Sequence, residues 1–124
     1  MSLNLYLSNK IYLSYDEGKT YIESEEQVYW ANITHNLVKM ADQTVLYLAI
    51  WCPNELLDTK SEIKAKDIID FLKIGLIKLK EDPNSFKKFN PQNGWGTYEI
   101  LVDFVEKYLD ACKEHPESVV GVSG

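Results

Sequence analysis

The stretch Leu3-Asn4-Leu5-Tyr6-Leu7-Ser8-Asn9-Lys10-Ile11-Tyr12-Leu13-Ser14-Tyr15 alternates apolar side chains with polar ones or tyrosine. A period of two residues is that of a β-strand with one face on a core. Ser8-Asn9-Lys10 reads as a turn that splits this run into two strands. Asp16-Glu17-Gly18-Lys19 reads as a stronger turn, in which Gly18 takes a positive φ. Strands near residues 20–24 and 27–33 come next, on either side of the acidic bend Ser24-Glu25-Glu26. Residues 3–33 therefore predict an antiparallel meander.

At Thr34 the period becomes helical. Ile33, Leu37, Met40, Ala41 and Val45 fall on one face, and Thr34 is placed to cap the helix through its hydroxyl. Residues 44–51 fit a short helix, with a strand as the alternative, and Cys52-Pro53-Asn54 ends the segment. Residues 64–81 carry the stripe Ile68, Ile69, Leu72, Leu76 and Leu79. Ile74 and Ile77 widen it, which predicts a helix buried on more than one side. Gly75 within it points to close packing. Asp82-Pro83-Asn84 stops this helix, and Phe86 and Phe89 anchor a loop or short turn after it. A last helix runs from Tyr98 to about Glu114 behind the cap Thr97, with Tyr98, Leu101, Val102, Val105, Leu109 and Cys112 on its apolar face. Val119, Val120 and Val122 suggest a final strand beside the first. The expected fold is α+β: an antiparallel sheet of about four or five strands, with three or four helices packed on one face. Residues 1–124 are expected to form a single domain.

The chain carries no arginine; all 13 basic residues are lysine, against 19 acidic ones, for a formal charge of −6. Arginine's planar fork is the preferred group for phosphates and guanine edges, so nucleic acid is not an expected partner. The charge is uneven. Residues 60–88 hold eight lysines and five acids, whereas residues 1–59 hold three lysines and eight acids. That middle segment is either a solvated face or a docking surface for an acidic partner. No apolar run approaches the ~18 residues that span a bilayer, and no basic segment leads into an apolar one at the N-terminus. A cytoplasmic location without membrane attachment is expected. Cys52 and Cys112 form no disulfide framework and are expected to be reduced, and no cofactor is expected.

The segments Asn32-Ile33-Thr34-His35-Asn36-Leu37, Met40-Ala41 and Asn90–Glu99, continuing through Leu101, Phe104, Tyr108-Leu109 and Ala111-Cys112, resemble a family of small, functionally uncharacterised proteins of bacteria and bacteriophages. The resemblance implies a phage or mobile-element setting and no particular reaction. The tyrosine-rich residues 10–24 exceed the short entry of that family and suggest an elaborated sheet.

Two places are candidates for a site. His35 and Asn36 stand at a helix start, where a titratable imidazole and an amide meet the positive end of a helix dipole; polar residues also belong there simply as caps. Asn93-Gly94-Trp95-Gly96, leading to Tyr98, has two glycines that let backbone approach a ligand and a tryptophan able to stack on a ring. The other reading is a tight turn whose Trp95 plugs the core. No lysine follows at P-loop spacing. Cys112 and His115 have i, i+3 spacing, but a zinc site would also need Cys52 and His35 to converge, so no metal is expected. There is no G-x-S-x-G motif, and Asp103 with Glu106 falls on a polar helix face. The chain therefore reads first as a non-enzymatic interaction or accessory protein with a protein partner or self-association, eight tyrosines being suited to interfaces. The alternative is a small-molecule or nucleotide-binding domain with a pocket between Thr34–Asn36 and Asn93–Tyr98.

Overall fold

A computed structural model describes residues 1–124. Three strands, β1 (Ser2–Leu13), β2 (Ile22–Thr34) and β3 (Val119–Ser123), form an antiparallel sheet in the order β2-β1-β3. The α+β class holds, but the sheet has three strands rather than four or five. The meander is instead one long hairpin. Ser8-Asn9-Lys10 does not turn, because those residues pair with Gln27, Glu26 and Glu25 in the ladder. Asn9 is also tied to the turn that precedes β3 by the Ser118 hydroxyl, which donates to its Oδ1 at 2.6 Å. Ser24-Glu25-Glu26 likewise stays extended. The one irregularity is a bulge: Leu7 faces Tyr29 and Ser8 faces Gln27, leaving Val28 as the extra residue. Without it, every β2 side chain below Val28 would exchange faces. The turn at Asp16–Lys19 is present, with Glu17 and Gly18 both at positive φ.

Leu3, Leu5, Leu7 and Ile33 point to one side of the sheet and are buried there. Six α-helices accompany the sheet, more than the three or four expected, because short ones fill the connections. A 3-10 turn (His35–Leu37) leads from β2 into α1 (Val38–Ala41). Then come α2 (Leu46–Trp51), so residues 44–51 contain a helix, and α3 (Pro53–Leu56). A second 3-10 turn at Ala65–Asp67 precedes α4 (Ile69–Glu81). Next are α5 (Pro83–Lys87) and α6 (Tyr98–Glu114). Prolines open both α3 and α5, where their missing N–H leaves no donor unpaired. Thr97 caps α6 by accepting from the Ile100 amide at 3.2 Å.

Helix α6 lies against β2, and α4 packs on α6 and α2. The Tyr108 ring stacks on Tyr29 of β2 with centroids 6.2 Å apart, and Leu101, Val105 and Cys112 are fully enclosed. Each large apolar side chain so buried contributes about 1.5–3 kcal/mol. Gly75 is where α4 touches α2: a β-carbon there would collide with the Leu46 side chain. The expectation that α4 is buried on more than one side fails. Ile74 and Ile77 are 59% and 60% exposed, because α2 and α6 cover only the face bearing Leu72, Gly75 and Leu79. No helix is long and apolar enough to cross a membrane.

Candidate functional site: an asparagine and tryptophan groove

Thr34 ends β2 and starts the 3-10 turn, and its hydroxyl accepts from the Asn36 backbone amide at 3.2 Å and from the Asn36 side-chain amide at 3.1 Å. Against this corner sits the loop Asn90–Thr97. The Tyr98 amide donates to Asn90 Oδ1 at 2.8 Å, and the Trp95 amide donates to Asn93 Oδ1 at 2.9 Å. Gly96 has φ of 120° and is buried against Thr34 and Leu37, so a side chain there is excluded by both backbone and neighbours. The loop is thus fixed at both ends and in its middle.

This fixing aims Trp95 outward. Its side chain does not plug the core; the residue is 71% exposed. The core beneath is already filled by Leu37, which lies against Gly96. Trp95 and Asn93 form one wall of an open groove of about 520 Å³, and Ser2, Asn32, Thr34 and Asn36 form the other, with Met1 at the margin. The two segments singled out in the sequence do meet. A second, smaller depression along Asn54–Lys60 has no aromatic lining.

Of the five candidate residues, Asn36, Asn93 and Trp95 line the groove, and His35 and Tyr98 do not. His35 turns toward α2, where its Nδ1 accepts from the Trp51 indole at 3.0 Å; Trp51 in turn stacks on Tyr47. Tyr98 is buried, and its hydroxyl donates to the Leu79 carbonyl at 2.7 Å, joining α6 to the end of α4. Burial holds its phenol above the usual tyrosine range. Both side chains are committed to packing.

The hydrogen-bond inventory of the groove is uneven in a useful way. Asn32 donates to Ser2 Oγ at 2.8 Å and to Asn4 Oδ1 at 2.9 Å, and its carbonyl oxygen has no partner. Asn36 donates to Thr34, and its carbonyl oxygen is also unpaired. Asn93 accepts from Trp95, which leaves its amide hydrogens unpaired. Acceptors and donors therefore face one space beside an indole ring, and every side chain around it is neutral. Asn32 entered the sequence reading only within the segment that carries the family resemblance, and Ser2 carried no signal there.

Elsewhere, Cys112 lies in the core, where burial pushes its thiol up to about 12. It is far from thiolate character at neutral pH. No group of three or more histidine, cysteine, aspartate or glutamate side chains is arranged to hold a metal ion. Comparisons with protein-family models, with curated proteins and with solved structures find no match to this chain.

Proposed function

We propose that this chain is a recognition protein that works by binding, and that its binding surface is the Trp95 groove. The ligand is an uncharged molecule rich in hydroxyl or amide groups. One observation carries this reading: a tryptophan held out in solvent by a loop pinned at Asn90, Asn93 and Gly96, beside three asparagines whose side chains have polar atoms without a protein partner. An exposed indole costs solvation and gains nothing for the core, whereas a ring set beside amide donors and acceptors suits a ligand with an apolar face and a polar rim. The groove holds no acidic or basic side chain to activate the Ser2 and Thr34 hydroxyls, which favours binding over catalysis. It offers no lysine side chain to a phosphate, which disfavours a nucleotide.

The test is titration of neutral sugars and nucleosides against the intrinsic tryptophan fluorescence and amide NMR spectrum. Binding should shift the resonances of Asn36, Asn93 and Trp95. Trp95→Ala and Asn36→Ala should each weaken it with the melting temperature unchanged. Shifts confined to other surfaces would defeat the proposal.

A second reading, self-association, is favoured by a separate observation. Ile74 and Ile77 form an exposed apolar pair on α4, flanked by Lys73 and Lys78, neither of which is within ion-pair distance of a carboxylate. Sedimentation of the wild type beside Ile74→Lys/Ile77→Lys decides it: a dimer that dissociates in the double variant supports this reading.

A further inference from the structure

The groove does not end at Asn32. On the same outward face, one rung further along β1 and β2, stand Tyr6 and Trp30, paired across the strands. Trp30 is 55% exposed. Tyr6 leans the other way, over Gly121 of β3, where any side chain would collide with its ring. The glycine thus lets the tyrosine ring lie over β3. Thr34 to Trp30 is four residues, about 14 Å of strand. Trp95 lies beyond Thr34, so aromatic rings stand at the two ends of a strip whose middle is Asn4, Asn32, Ser2 and Thr34.

Charge is missing from this strip. The outward face carries no aspartate, glutamate or lysine from the rung of Ser2 to that of Tyr6; the first charges beyond are Lys64, bridged to Val119 beside Ser8 and paired with Glu117 at 3.0 Å, and Lys10, held by Glu62 at 3.0 Å. In a chain with 26% charged residues, a stretch of sheet without charged side chains matches an uncharged partner. A phosphate chain would find no lysine side chain between Trp95 and Trp30.

Resting on the reading of the Trp95 groove given above, we infer that the outward sheet face from Trp95 to Tyr6 and Trp30 is one elongated site for a linear chain of neutral sugar units. Sugar rings present C–H faces to aromatic rings and hydroxyl rims to amides, which is the order of groups on this surface. The interval between the aromatic ends accommodates several units in succession, so affinity should depend on chain length.

The experiment is calorimetric titration with mono- to hexasaccharides of cellulose, chitin and starch, using the wild type, Trp30→Ala and Trp95→Ala. Melting curves confirm that the variants are folded; both replaced residues are exposed. For at least one series, wild-type affinity should rise with length by on the order of tenfold. Trp30→Ala should abolish that gain while leaving the shortest ligand's affinity in place, and Trp95→Ala should weaken every length. Affinity that does not grow with length, or a gain that survives Trp30→Ala, overturns the elongated site and leaves the Trp95 groove standing. Absence of binding by all three series overturns it as well. So does a dimer that buries Trp30, which would make the face a contact between two copies of this chain.

Discussion

Helices α4 and α6 are the two long helices of the molecule, and both carry wide apolar stripes. In α6 the stripe and the burial coincide: Leu101, Phe104, Val105, Tyr108, Leu109 and Cys112 are all enclosed between β2 and α4. In α4 they do not. Leu72, Gly75 and Leu79 are enclosed, while Ile74 and Ile77 face solvent. Helical periodicity reports which residues are apolar, and burial depends on how many neighbours the topology provides. A three-stranded sheet is covered by α6, and α4 is held by α6 and α2 on one flank only.

The contrast predicts a graded response to substitution. The largest effect is expected for Leu101→Ala in α6, a fully enclosed side chain whose truncation should cost about 2–5 kcal/mol in chemical denaturation. A loss below about 1 kcal/mol would mean the core is loose at this point. Gly75→Ala comes next. Alanine gains about 1 kcal/mol in helix propensity, but its methyl group would strike Leu46, and overpacking costs about 1–3 kcal/mol. A net loss of stability is expected, and a stabilised variant would show that α2 and α4 can part freely.

Alkaline titration probes the same α6 core. Burial raises the Cys112 thiol from its ordinary value of 9.0 to about 12. The folded state therefore keeps its proton where the unfolded state loses it. Stability is fully present below pH 9 and declines as pH rises through 9 toward 12, by about 1 kcal/mol at pH 10. Burial also raises Tyr108, the neighbour of Cys112, and it adds to the decline above its ordinary value of 10.0. Cys112→Ala should flatten the profile between pH 9 and 10, and an unchanged slope would place the titrating group elsewhere. The smallest effect belongs to the open face of α4: Ile74→Lys/Ile77→Lys should change monomer stability by no more than about 0.5 kcal/mol.

Much of the fold is legible in the chain because its local signals agree with its tertiary setting. Thr97, the bounds of α6 and the strand at Val119–Ser123 follow from capping and periodicity alone. The hairpin misleads because Ser8-Asn9-Lys10 and Ser24-Glu25-Glu26 are turn-like in composition, yet each pairs with the opposite strand, and a ladder outweighs weak turn propensity. The site is half legible for a related reason. Sequence marks Thr34–Asn36 and Asn93–Tyr98 as unusual, but the direction of each side chain is set by its packing partners. Trp51 draws His35 inward, Leu79 holds the hydroxyl of Tyr98, and Gly96 against Leu37 leaves Trp95 outside. The contribution of Asn32 exists only once β1 brings Ser2 and Asn4 alongside it.

Beyond Lys10 the hairpin makes no hydrogen bond or ion pair to the rest of the chain, and its rungs match one for one from Ile11 opposite Ser24 to Leu13 opposite Ile22. Its length is therefore a free variable. Rungs can be removed or added in matched pairs without shifting a single core side chain to the wrong face. The tip at Glu17-Gly18 is a natural point for grafting a fluorophore, an affinity tag or a foreign peptide, and a version closed by a short turn near Lys10 and Glu25 would be a smaller protein with the same interior.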